Sequence, residues 1–256
     1  MAGHVPVDLD HHRTLQSLYL DPTYAILERR NQGKMPNEPW AGLLKDDPTA
    51  EVQLVIDFVS QFSYPLGELM SKKSDGPTMW PYVLEALEPL QEAGYLTTYD
   101  TTSANFTRGP LTIIGTGNTP LSHVYYSSTR VIFFDAPLRR LHKSAHIPDT
   151  PVGPAIDVYL DNTISPMASG KLPPWTHVGS ALYPSHNGAV MWMKRRTDEA
   201  RKRGIKSRWW GAAGQPGWLR RRMWALQKEA QTDWVNGDDL VDLAQWLRRT
   251  DGEATD

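Results

Sequence analysis

Short apolar runs that end in polar residues alternate with amphipathic helical stretches along this chain. That alternation limits the fold more than any other feature. Gln53-Leu-Val-Ile-Asp-Phe58 is apolar, rich in β-branched residues and carries an acid near its end. Leu111-Thr-Ile-Ile-Gly115, Val131-Ile-Phe-Phe-Asp135, Lys206-Ser-Arg-Trp-Trp210 and Thr232-Asp-Trp-Val-Asn236 repeat the form. From Trp80 to Ala93, residues Trp80, Val83, Leu84, Leu87 and Leu90 recur at spacings of three and four, the signature of an amphipathic helix. Gly94 is its expected C-terminal cap. Further helices are expected over Ala189–Arg203 with Gly204 as cap, Trp218–Ala230, and Asp239–Arg249 behind an Asp238 or Asp239 N-cap. A helical pattern also opens at Leu15, and Asp21-Pro22 marks a break in it or a new helix start. Strands buried on both faces and separated by helices imply parallel βαβ units, hence an α/β fold. Pattern alone does not separate a barrel from a doubly wound sheet. Five or six strands can be read, counting an edge strand near Tyr95–Tyr99. An eight-stranded barrel needs two or three more.

The 256 residues suit one domain, so residues 1–256 are expected to form a single unit with a frayed tail over 250–256. The net charge of −2 counts against a general nucleic-acid binder. No stretch approaches the ~18 apolar residues of a membrane span. The absence of cysteine excludes disulfides, zinc–thiolate sites and thiol nucleophiles, and leaves the compartment unassigned. Most of the ten tryptophans fall on apolar helix or strand positions and read as core, which weakens a carbohydrate-binding reading. Met1-Ala-Gly-His-Val-Pro6 lacks the basic and apolar segments of a signal or transit peptide.

Few motifs carry chemistry by themselves. Asp57 ends a buried strand, where a carboxylate serves as a hard-metal ligand, a helix cap or half of an ion pair. Gly115-Thr-Gly-Asn-Thr-Pro120 is either a tight turn or a substrate-facing loop whose N–H groups approach a phosphate. Pro120 stands where the dinucleotide fingerprint needs its third glycine, which argues against nicotinamide binding. His4, taken alone, is a tail histidine, and neither a zinc-binding His-x-x-x-His nor a Gly-x-Ser-x-Gly elbow occurs. The basic stretch from Lys194 to Arg203 contains Asp198 and Glu199 and reads as a solvated helix face, with an acidic-lipid patch as the alternative.

Several segments together resemble one fungal family, altered inheritance of mitochondria protein six. They are Gly3-His4, Arg13-Thr-Leu-Gln-Ser-Leu-Tyr-Leu-Asp-Pro22, Leu54-Val-Ile-Asp-Phe58, Trp80-Pro-Tyr-Val83, Gly109 to Pro120, Phe133-Phe-Asp-Ala-Pro-Leu138 and Val235-Asn-Gly-Asp-Asp-Leu240. The resemblance spans most of residues 3–247 and is looser over 139–200. It implies a PLC-like phosphodiesterase of TIM (β/α)8-barrel type, distantly related to glycerophosphodiester phosphodiesterases and sphingomyelinase D. Such enzymes use two histidines and a carboxylate-bound divalent cation, usually Mg²⁺, to cleave or transphosphorylate a phosphodiester, which can be a phospholipid. The cation stabilises charge that builds on the phosphoryl oxygens, and the histidines move protons. By resemblance His4 is the catalytic general acid, Asp57 a metal ligand, Lys73 a phosphate contact, and Trp210 and Asn236 line the substrate pocket.

Two departures qualify these expectations. The family's first histidine and its Glu-x-Asp pair have no counterpart here, so the expected barrel lacks its first two to three strands and its targeting signal. A chain so truncated is expected to show little or no activity, with a non-catalytic lipid- or protein-binding barrel as the alternative. Residues 59–72 interrupt the pattern, because removing them joins Phe58 to Lys73 in the family's continuous reading. Val59-Ser60 is what a 5′ splice sequence of the GTRAGT type encodes in frame, so the segment is a retained intron or a surface loop.

Overall fold

The computed structural model describes residues 12–34, 38–58, 76–176 and 186–252. The chain divides into two compact units. The first holds the described residues up to Phe134 together with Ile147–Ile156, and the second holds Asp135–His146 and the described residues from Asp157 onward.

In the first unit a π-helical turn, Gln16–Leu20, runs into α1 (Asp21–Asn31), with Pro22 in its first turn. Strand β1 (Val52–Phe58) is followed by α2 (Gly76–Glu92), β2 (Thr98–Asp100), β3 (Asn105–Thr107) and β4 (Leu111–Gly117). The short α3 (Leu121–Tyr126), β5 (Thr129–Arg130) and the start of β6 (Ile132–Pro137) complete it. β1 lies parallel to β4 from Val52↔Leu111 to Phe58↔Gly117, and β4 lies parallel to β6. β2, β3 and β5 make a separate antiparallel sheet, which takes the place of the single edge strand expected near Tyr95. α2 buries Trp80, Val83, Leu87 and Leu90, as their spacing requires, and Trp80 stacks on Phe58 with ring centroids 6.0 Å apart. The helix ends at Gly94 (φ +72°), where the Tyr95 N–H donates to the Leu90 carbonyl at 2.9 Å. That bond closes a Schellman turn, which a left-handed glycine permits.

In the second unit β6 continues through Asp135–Pro137 and pairs in parallel with β9 (Met167–Lys171). Beyond β9 come β10 (Lys206–Trp210) and the two-residue β11 (Trp234–Val235), both parallel. A small ribbon of β7 (Ala145–Ile147) and β8 (Ile156–Val158) precedes β9. The helices are α4 (His186–Lys202), α5 (Gly217–Glu229) and α6 (Leu240–Gly252). Asp239 caps α6 as expected, accepting the Asp242 N–H at 3.0 Å. The core is built on Trp209 of β10 and Trp224 of α5, both fully buried, with Met193 and Ala200 of α4 and Met223 and Leu226 of α5. Ser207 is also fully buried, and its N–H and hydroxyl both donate to Asp233 Oδ2, at 2.9 and 2.8 Å, tying β11 to β10.

The α/β class holds, but the expected TIM barrel does not. The parallel ladder has six strands in the order β1–β4–β6–β9–β10–β11. β1 and β11 each bond to one neighbour only, and among the described residues no strand occupies their free sides. A barrel closes only when every strand has two partners, so this sheet is open.

Not all tryptophans are core. Trp80, Trp209 and Trp224 are buried, whereas Trp210, Trp218 and Trp234 are exposed by 40%, 65% and 36%.

Candidate functional site

In the first unit Asp57, the expected metal ligand, lies where β1 and β4 end. Ile56 and Phe58 are buried, so strand alternation turns Asp57 between them to the opposite, exposed face. It lies level with Thr116 of β4. The next residue, Gly117, has φ +68°, and a Cβ there would overlap Asp57 Oδ1. Only glycine allows both that backbone conformation and the carboxylate's position. Partial desolvation against these strand ends pushes the Asp57 pKa above the ordinary carboxylate value.

The loop after Gly117 is tied to its own strand ends. The Asn118 N–H donates to the Phe58 carbonyl at 2.9 Å. The Thr119 N–H and hydroxyl both donate to the Thr116 carbonyl, at 3.4 and 2.7 Å. Gly76, at the start of α2, packs so closely on the Asn118 carbonyl that a Cβ would overlap it. The Asn118 and Thr119 N–H groups are thus occupied by protein acceptors, as in a tight turn.

In the second unit Trp210 and Asn236 come together at the ends of neighbouring strands, β10 and β11. Trp210 carries the Lys171 ammonium 5.5 Å from its ring centroid. Asn236 is fixed by α5: its carbonyl accepts the Trp224 indole N–H at 3.0 Å, and its N–H donates to Gln227 Oε1 at 3.4 Å. Its side-chain oxygen accepts from Arg208 Nη2, and Arg208 Nη1 donates to Ser169 Oγ at 3.5 Å. Burial holds the Arg208 pKa below the usual guanidinium range, while the Asp135 and Asp238 carboxylates act to raise it.

The sequence reading missed Arg208. Its signal was available: in Lys206-Ser-Arg-Trp-Trp210 the partly buried cation alternates with the buried Ser207 and Trp209 and shares a face with Trp210. His4, Lys73 and residues 59–72 lie outside the described residues. Asp57 belongs to the first unit, and Trp210 and Asn236 to the second. Among the described residues no three histidine or acidic side chains gather to hold a metal ion. No helix among them is long and apolar enough to cross a membrane.

Residues 1–135, just over half of the chain, match the model of the AIM6-like phosphodiesterase domain. The altered inheritance of mitochondria protein 6 homolog of Arthroderma benhamiae is 29% identical over 239 residues, covering 93% of this chain and 68% of the relative. The proteins of that name from Eremothecium gossypii and Lachancea thermotolerans are each 27% identical, and the matches cover 58% and 55% of their lengths. The chain thus spans between about half and two thirds of these relatives. No solved structure gives a significant match. The chain belongs to the AIM6-like phosphodiesterase family.

Proposed function

We propose that this chain forms part of a phosphodiester-binding site and that Asp57 is its functional carboxylate. One observation carries the reading. Asp57 lies within the family-matched region, at the C-terminal end of a parallel strand, with its carboxylate exposed and its position enforced by Gly117. Ligand sites of open α/β sheets lie at those strand ends. A phosphodiester is itself an anion, so an exposed carboxylate there cannot attract it directly. At ~4 Å in water two like unit charges repel by about 1 kcal/mol, and by more in a drier site. An acid in that place is suited to holding a cation.

Mg²⁺ takes near-octahedral oxygen coordination from one or two carboxylates, with water and substrate phosphate completing the shell. Asp57 is the right kind of donor. The described residues still do not make a complete metal site, because no second carboxylate or imidazole joins it in a group of three.

By the family resemblance, His4 would act as general acid, Lys73 would contact the phosphate, and Trp210 and Asn236 would line the pocket. In the whole protein we infer hydrolysis or transphosphorylation. A water or substrate hydroxyl oxygen attacks phosphorus and gives up its proton to a base or solvent, the bond to the leaving alkoxide breaks, and the leaving oxygen takes a proton from the general acid. The incomplete donor set also favours a second reading, in which the fold binds a phospholipid or a protein partner without turnover.

Hydrolysis of bis(p-nitrophenyl) phosphate and of glycerophosphodiesters with Mg²⁺ tests the reading. This chain alone is expected to show little or no turnover, and a full-length relative measurable turnover. Equal rates from the two would contradict the assignment of an incomplete site, and no turnover from the relative would favour the binding module.

A further inference from the structure

A second group of residues in the second unit, which does not involve Asp57, has the form of an anion site. Trp192 of α4 lies in a row of indoles, edge-on to Trp175 at 5.4 Å and tilted against the buried Trp209 at 5.3 Å. Its neighbours on both sides hold it in place. Two guanidinium groups meet this one indole: Arg196 Cζ lies 3.7 Å from the ring centroid and Arg139 Cζ 5.7 Å from it. Arg139 comes from the 3-10 turn Leu138–Arg140 that follows β6, so two separate segments supply the cations.

The Arg196 fork is fixed as well, because Nη1 donates to the Trp192 carbonyl at 2.8 Å. Its Nε is buried and finds no acceptor among the described residues. Burial and the neighbouring charges of Arg139 and Arg195 hold the Arg196 pKa below the usual guanidinium range. The acids of α4 are engaged elsewhere: Asp198 pairs with Lys194 and Arg201, at 3.3 and 3.1 Å, and Glu199 with Arg203 at 2.9 Å. No ion pair among the described residues joins Arg139, Arg195 or Arg196 to a carboxylate.

Two cations of like charge thus meet on one indole, with no carboxylate paired to either among the described residues. The arrangement costs folding energy, and an anion would relieve it. Guanidinium forks fit the oxygens of a phosphate group in paired hydrogen bonds. Arg139 and Arg195 are exposed, which leaves the group open to a ligand from solvent.

We propose that Arg139 and Arg196, gathered about Trp192 with the exposed charge of Arg195 nearby, bind a phosphate group, free or carried on a small molecule or lipid headgroup. The site is independent of the phosphodiesterase reading.

The test is titration of the full chain with inorganic phosphate at low ionic strength, followed by calorimetry and by tryptophan fluorescence. Saturable binding is expected. Arg139→Gln and Arg196→Gln should each weaken it about tenfold or more, the loss expected for one charge-assisted pair. Arg196→Lys should recover part of the loss, and Arg248→Gln, on exposed α6, should change nothing. Circular dichroism melts identify any variant that fails to fold, and Arg195→Gln then serves in its place. Sedimentation with phosphatidic acid vesicles separates the sources. Binding that free phosphate competes away assigns a lipid headgroup, whereas phosphate binding without vesicle binding assigns a soluble ligand. An absent or non-saturable phosphate response, or variants that bind as well as the wild type, would overturn the proposal.

Discussion

Gly117 and the Asp57 carboxylate share one space: a Cβ on the glycine would overlap Asp57 Oδ1. The glycine's φ of +68° adds a second constraint, because a left-handed backbone costs an L side chain about 1–2 kcal/mol. Gly117→Ala should therefore destabilise the protein by at least that amount and displace the carboxylate. In an Asp57→Ala background that overlap disappears, leaving the backbone cost and a 3.1 Å approach to the Phe58 carbonyl oxygen. Urea unfolding of the two single variants and the double variant measures the coupling, expected at about 0.5–3 kcal/mol for residues in contact. Strict additivity would show that the two positions do not constrain each other.

The raised pKa of Asp57 has a definite sign in stability. The folded chain takes up this proton more readily than the unfolded one. Below the unfolded value, near about 3.9, the carboxyl is neutral in both states and carries no penalty. As pH rises through that value and past the folded one, the fold bears the cost of a partly desolvated charge. Asp57→Asn should leave Tm unchanged near pH 3 and raise it at pH 7. A Tm lowered at pH 7 would mean that the carboxylate is stabilised in the fold.

Gly170 of β9 faces the large ring of Trp209, and a Cβ there would stand 2.7 Å from Trp209 Cζ3. The indole is fully buried and cannot yield without disturbing Trp192. Gly170→Ala should cost about 1–3 kcal/mol, the range for overpacking a core. Trp209→Phe in the same chain should recover part of that loss, as read from urea midpoints at constant slope.

Arg208 and Asn236 form a hydrogen-bonded pair at the ends of β10 and β11. Asn236→Ala leaves a partly buried guanidinium short of an acceptor and should cost about 1–3 kcal/mol. Arg208→Met removes the charge, so the double variant should cost less than the sum of the two singles. Additive losses in denaturant unfolding would argue that the pair is incidental.

If residues 59–72 are a retained intron, the major transcript should join the codons for Phe58 and Lys73 directly. Sequencing the mRNA settles the choice, since a major form that contains these codons makes the segment a genuine part of the protein.

Much of the parallel sheet is legible in the residues themselves. β1 with Asp57 near its end, the α2 spacing from Trp80 to Leu90, and the caps at Gly94 and Gly204 follow from period, β-branching and left-handed glycine. β9 is not legible, because Met167-Ala-Ser-Gly-Lys171 has no β-branched or aromatic residue. Gly170 is small because Trp209 on the next strand fills the space, a fact that belongs to the partner and not to the segment. The open sheet is legible only as a shortfall of two or three strands against an eight-stranded barrel, since the number of neighbours a strand has leaves no mark in its own sequence. Asp57 could be read as a strand-end acid, but the Gly117 overlap that positions it depends on the register of β1 against β4. The arginines about Trp192 read as part of a solvated helix face because Arg139, from a distant segment, supplies what makes them a cluster.

As the proposed acid of a phosphodiester site, Asp57 should govern the Mg²⁺-dependent rate of phosphodiester hydrolysis in the whole protein, measured for wild type against Asp57→Asn. The substitution keeps the shape and removes the charge, so the rate should fall by about 100-fold, the upper range for weakening a metal's coordination, with Tm at pH 7 undiminished. A variant that turns over substrate at the wild-type rate would contradict the claim.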